Sequence, residues 1–176
     1  LLLNGRGLLF NPFAPSMASA VAPWEVIGEL LREGTMLRGS DVHSVKVNAF
    51  LDATVELKRL RMDEQVWNHN QKVAFFLNAF HLLVVHALIV LGTPSSKKEA
   101  RQLYTDYSYQ LGEYVLSAAE IEHAILRAPA TKHPARLQKT RARVSKLKKL
   151  RSKDPVPRFE ESDPRAKFVI DRVDWG

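Results

Sequence analysis

Cysteine is absent from all 176 residues, which excludes a disulfide scaffold, a thiolate zinc site and a cysteine nucleophile within them. The eleven serines are scattered, and none sits in a nucleophile elbow. Acidic residues are missing from several stretches, two of which stand out by their charge. Between Leu1 and Pro23 the only charge is Arg6, and between Lys132 and Lys153 there are ten Lys or Arg and no Asp or Glu. The formal charge of +7 therefore belongs to one segment, since the rest of the chain carries 16 basic against 19 acidic groups. Long hydrophobic runs are also scarce, and there is only one.

That run is the element around which the chain is organised. Of the nineteen residues from Val73 to Leu91, only Asn78, His81 and His86 are polar. At helical periodicity Asn78 lies about 60° from His81 and about 80° from His86, so the three share one stripe of an otherwise apolar helix. Nineteen residues are enough to cross a hydrocarbon core of roughly 30 Å. Three hydrogen-bonding side chains and the lack of a second such segment favour a buried core helix over a membrane span. The stripe must find partners, because an unsatisfied buried group costs about 1–3 kcal/mol. A hydrogen-bonded core network is the simpler expectation, and an active-site wall with His86 or His81 as base the sharper one.

Around this helix the local signals are mostly helical. Residues 1–22 read as an extended apolar arm, because Pro12, Pro15 and Pro23 forbid one continuous helix. Pro23 opens a helix with Trp24, Ile27, Leu30 and Leu31 on one face, ended by Gly34. Ser40 or Asp41 caps a second helix to about Leu60. Gly92 and Pro94 stop the central helix, and Lys97–Tyr109 forms another with Leu103, Tyr104 and Tyr107 on one side. Tyr109 to Leu116 around Gly112 reads as a hairpin. Ser117 and Glu120 form a capping box for the helix that follows, on which Glu120, His123 and Arg127 line one face. Glu122 and His123 are adjacent, so they point about 100° apart and do not readily chelate one metal ion. Lys167–Val173 alternates as a strand, and the chain stops there as though a sheet were to continue. Together with the initial Leu, this reads as a processed or truncated polypeptide.

The acid-free segment, Lys132, Arg136, Lys139, Arg141, Arg143, Lys146, Lys148, Lys149, Arg151 and Lys153, has a thin apolar edge of Leu137, Val144, Leu147 and Leu150. Ten cations in a run suit phosphate groups and give salt-sensitive, sequence-blind affinity. No aromatic residue interleaves them, which argues against stacking on single-stranded bases. A solvated loop insertion, an acidic protein face and anionic lipid are the competing readings.

AFFLNAFHLLVVHALIVLG, then Gly112 with LSAAEIEHAILR, then SDPRAKFVI occur in an order that resembles the domain of unknown function 547 family, over roughly Val47 to Trp175. The resemblance implies a polar signature of Asn78, His86, Glu122, His123, Asp163 and Arg165. His81 stands where the family often has a second Asn. In the family a further strand and a Cys- or Ser-containing turn follow, and here the chain ends before them. The basic segment falls where an insertion on the family plan would lie. The family's buried Asn, His and Glu with such a downstream nucleophile would suit acyl transfer or amide hydrolysis.

The fold expected is mainly α with a minor β component: a buried central helix packed by amphipathic helices, with a C-terminal strand of an incomplete sheet. Residues 1–22 are the arm, 23–131 the helical core, 132–153 the basic insertion, and 154–176 a loop and strand of the same domain. The leading functional expectation is a non-catalytic structural or interaction subunit of a large assembly. A ribonucleoprotein such as an organellar ribosome would meet RNA through residues 132–153 and protein subunits through the arm. An intracellular setting, mitochondrion or cytoplasm, goes with that expectation, and neither cofactor nor metal is called for. The alternative is a hydrolase or acyl transferase completed by a missing half, with His86, Glu122, His123 and Asn78 at its site.

Overall fold

The computed structural model describes residues 2–3, 8–10, 22–61, 67–127 and 163–170. The architecture is mostly helical with a small sheet. Strands β1 (Leu2–Leu3) and β2 (Leu8–Leu9) are followed by helices α1 (Pro23–Met36), α2 (Val45–Ala53), α3 (His69–Leu91) and α4 (Lys97–Asp106). Strands β3 (Tyr107–Leu111) and β4 (Tyr114–Ser117) lead into α5 (Ala118–Glu120), which continues as a π-helical turn over Ile121–Leu126, and α6 is Pro164–Ile170.

The central helix forms as its composition dictates. Asn68 and Gln71 close a reciprocal capping box at its start, and Gly92, at φ 80°, ends it. Val73, Phe75, Phe76, Ala79, Phe80, Leu82, Leu83 and Ala87 are all buried, with α1 packed along one side and the π-helical turn against another. By length and composition α3 is able to cross a membrane, yet 67% of its apolar window is buried inside the protein itself. A core helix meets the same test.

Strands β3 and β4 pair antiparallel, with Leu111 opposite Tyr114 across Gly112, whose φ of 56° is left-handed. The Gly112 N–H donates to the Leu57 carbonyl, tying the hairpin to the helical layer. Part of the N-terminal arm joins this sheet: β2 runs antiparallel to β1 and parallel to β3, giving the order β1-β2-β3-β4. Phe10, directly after β2, donates its N–H to the Ser108 carbonyl and buries its ring in the core.

Several boundaries differ from those the sequence predicts. Helix α1 passes through Gly34 because that glycine is packed rather than terminal: a Cβ there would lie 3.0 Å from the Phe50 ring and 3.1 Å from Val85. The second helix starts at Ser44, whose hydroxyl accepts from the Val47 N–H, and after Ala53 it tightens into a 3-10 segment, Thr54–Arg59. Tyr107 belongs to β3 rather than to α4. The largest correction is at the C-terminal end, where Pro164–Ile170 is helical and the strand proposed for Lys167–Val173 does not form over the described residues. Pro164 fits a first helical turn, Asp163 accepts from the Arg165 and Ala166 N–H groups, and Ala166 and Ile170, four apart, are both buried. The sequence from Lys167 is too short for period two to exclude period 3.6. The basic segment and the end of the predicted strand lie outside the described residues.

Candidate functional site

Structure divides the polar residues singled out by sequence into three groups. The first is around His86, which is 2% exposed. Its Nδ1 and the hydroxyl of the equally buried Tyr109 share a 2.6 Å hydrogen bond. Phe10 stacks on the imidazole at 4.2 Å between ring centroids, and Phe50 meets it edge-on at 5.6 Å. Burial in this aromatic box pushes the imidazole down to about 3 and raises the Tyr109 phenol well above its ordinary value. Both groups are neutral near pH 7.

The stripe shared by Asn78, His81 and His86 is therefore not one network. His81 Nδ1 lies 2.8 Å from the carbonyl of Leu77, one turn back in its own helix, and burial lowers its pKa. Asn78 is half-buried beside Gly28 of α1, where a Cβ would lie 3.8 Å from its Nδ2.

The second group carries the most chemistry. Tyr104 on α4 donates its hydroxyl proton to Glu122 Oε2, and His123 Nε2 lies 3.1 Å from the same hydroxyl oxygen. With that proton committed to Glu122, the contact places an N–H on His123 Nε2, leaving Nδ1 as the unprotonated nitrogen. Glu122 Oε1 lies 2.8 Å from Arg127 Nε and 3.9 Å from His123 Nδ1. The first of these is a charge contact, not an aligned hydrogen bond.

Local backbone explains the grouping. Arg127 N–H donates to the Glu122 carbonyl at 2.8 Å, an i to i+5 bond that stacks these two residues, as only a π-helical turn does. Regular helical spacing would instead set Arg127 with Glu120 and His123, but Glu120 is committed to the capping box, accepting from the N–H and hydroxyl of Ser117. Burial raises the Tyr104 phenol, with the Glu122 charge and hydrogen bond adding to it; burial likewise lowers His123 against the opposing pull of Glu122. The His123 side chain keeps 36% of its surface exposed, whereas Glu122 keeps 9%. Among the described residues no set of three His, Cys, Asp or Glu is placed to hold a metal ion.

The third group ties the last helix to the central one. Asp163 accepts from Arg165 Nε at 3.0 Å and lies 3.5 Å from His69 Nε2, while Arg165 also donates to Asn70 Oδ1 at 2.8 Å. Hydrogen bonds from Arg165 hold the Asp163 carboxyl down to about 2. Asp163→Asn keeps the shape and loses the charge; because the guanidinium is largely exposed, the expected loss is modest, about 1 kcal/mol by urea unfolding at neutral pH. Since the folded pKa lies below the unfolded value of 3.8, the wild-type advantage disappears as the pH falls from there towards 2.

Tyr104 was missed as a site residue by sequence reasoning, since on an amphipathic helix it reads as an apolar-face residue. The ten cations from Lys132 to Lys153 lie outside the described residues. Comparison with known proteins gives one finding: the family model described as "Protein of unknown function, DUF547" matches residues 65–176, more than half of the chain. No curated protein and no solved structure gives a match.

Proposed function

We propose, for a chain that belongs to the DUF547 family of proteins of unknown function, that it acts as a non-catalytic structural or interaction module of a larger assembly. The observation that carries this reading is the sealed environment of His86. An imidazole that is 2% exposed, bonded to a buried phenol and covered by Phe10 presents little surface to a substrate and stays neutral near pH 7. The missing cysteine removes the strongest candidate nucleophile from the same chain. Ten cations without an intervening acid supply the second part of the reading, a segment suited to phosphate oxygens or an acidic protein face. A ribonucleoprotein is the assembly such a segment fits best, with contacts to backbone rather than to bases.

Crosslinking mass spectrometry on the native particle tests it, with lysine-reactive and ultraviolet protein–RNA chemistries directed at Lys132–Lys153. Crosslinks to RNA or to a fixed set of protein neighbours are the expected result. A chain that migrates free and uncrosslinked would sink the reading.

A second reading, a hydrolase or acyl transferase completed by another polypeptide segment, rests on the Tyr104–Glu122–His123 set, where a half-exposed neutral imidazole is held by a carboxylate-bonded phenol. Of its candidates His86, Glu122, His123 and Asn78, it is Glu122 and His123 that share a contact, through Tyr104. Turnover of a panel of nitrophenyl esters and anilides, compared with a His123→Gln variant, separates the two. The interaction reading expects no difference above background.

A further inference from the structure

Helix α1, the 3-10 segment after α2 and the chain just ahead of α3 enclose an open groove of about 810 Å³. All of its described lining except Trp67 comes from residues 22–61, ahead of the matched residues 65–176. Its apolar surface is built on Trp24, Leu30, Leu60 and Trp67, the two indoles meeting edge-to-face at 5.5 Å and 87°. Trp24 remains half-buried, with part of its ring open to the groove.

The rim carries Glu25, Glu29, Glu33 and Glu56 against Arg59 and Arg61, so acid predominates. Glu25, Glu29 and Glu33 line it at four-residue spacing along α1, so the three carboxylates follow one another at about 6 Å per step over about 12 Å. Glu29 is paired with Arg32, and Glu56 opposite is paired with Arg59. Among the described residues neither Glu25 nor Glu33 forms a salt bridge; Glu25 is exposed, and Glu33 is half-buried with its charge acting on Arg32.

We infer that this groove docks a basic, helix-forming segment of a partner protein, with its aliphatic side chains against Trp24 and its cations along Glu25, Glu29 and Glu33. A helix with Lys or Arg at every fourth position repeats its charges at the same step of about 6 Å as the carboxylates, so one alignment satisfies all three. A large, partly open tryptophan such as Trp24 is a side chain that anchors such contacts, and its face also attracts cations. This deepens the interaction-module reading by naming a surface and the chemistry of its partner.

Fluorescence titration of the full chain tests the assignment, with two synthetic helical peptides as probes, one of Lys, Leu and Ala with lysine at every fourth position and one with Glu in place of Lys. Saturable binding of the Lys peptide with a shift in tryptophan emission is expected, and no emission shift with the Glu peptide. The double reversal Glu25→Lys with Glu33→Lys should weaken the Lys peptide about tenfold or more, with the far-ultraviolet circular dichroism unchanged. Trp24→Ala should lower affinity as well and remove much of the emission shift. Unaltered binding by the charge-reversed chain, or no saturation by the wild type, overturns the proposal. So does concentration-dependent self-association that the same reversal abolishes, which would give the groove to a second copy. Failure here with crosslinks retained from Lys132–Lys153 in the native particle leaves the interaction reading standing, whereas loss of those crosslinks with peptide binding intact removes the assembly and keeps the groove.

Discussion

Stability should fall steadily as the pH is lowered from about 6.5 towards 3, by roughly 1.4 kcal/mol for each pH unit from His86 alone. The buried ring stays neutral in the folded protein until about pH 3, while the same ring in the unfolded chain takes up a proton below 6.5. The unfolded chain therefore binds more protons throughout that window, and protonation draws the equilibrium towards it. Integrated over the window, the contribution is roughly 4 kcal/mol, a large share of the 5–15 kcal/mol that ordinarily holds a domain together. His81 and His123 are also shifted down and act in the same direction, so the measurement must be differential.

The reference is the paired replacement His86→Leu with Tyr109→Phe, which removes both ends of the buried hydrogen bond and leaves no orphaned polar atom. Urea unfolding of the two proteins from pH 7 to pH 4 should show the wild type losing stability relative to the paired variant as the pH falls, because only the wild type carries the His86 penalty. Parallel curves would mean that the ring is already accessible to protons in the folded state. The single change His86→Leu should be worse than the pair at pH 7 by about 1–3 kcal/mol, since it strands the Tyr109 hydroxyl in the core.

Phe50→Ala should destabilise the protein by about 3–5 kcal/mol, the usual range for deleting a fully enclosed phenyl ring. Phe50 is 2% exposed and stands where three helices meet, its ring edge on His86 of α3 and in near contact with the bare backbone of Gly34 in α1. Gly34→Ala, by contrast, adds a methyl group where the ring already stands at 3.0 Å, so crowding should outweigh the better helix propensity of alanine. The two changes should not add. In the Phe50→Ala background the new methyl enters the space the ring has left, and the double variant should be more stable than the sum of the single effects predicts. Simple additivity in thermal melts would show that Gly34 and Phe50 do not compete for the same volume.

What the sequence made legible was the set of features encoded within a few residues. The length and burial of the central helix followed from nineteen nearly unbroken apolar residues, the hairpin from Gly112 between alternating aromatics, and the start of α5 from Ser117 and Glu120. Errors arose where tertiary contact overrode a local sign. Gly34 resembles a helix stop because glycine usually is one, but here its missing side chain admits Phe50. The C-terminal helix was misread because seven residues fit two periodicities, and burial of Ala166 and Ile170 on one side decides between them.

Which polar side chains meet was not legible in the sequence. His86 and His123 were singled out together, yet the first is enclosed with Tyr109 and Phe10, and the second is bonded to Tyr104. No short-range pattern announces a partner eighteen residues away, and a five-residue step from Glu122 to Arg127 escapes a search tuned to 3.6. The groove beside Trp24 was equally invisible, because its walls come from three segments that only folding brings side by side.

The parallel pairing of Leu8–Leu9 with Tyr107–Ser108 also fixes an order of events during synthesis. The strand that carries Phe10 leaves the ribosome about a hundred residues before its partner, a lag of about 5–20 s at ordinary elongation rates. Helix α3 is complete only shortly before that partner strand begins, so at the end of the lag the edge of α3 that carries His86 has no paired strand to hold Phe10 on it. Contacts so distant in sequence are slow to form even in the finished chain. The half-assembled stage leaves an apolar helix face open to solvent.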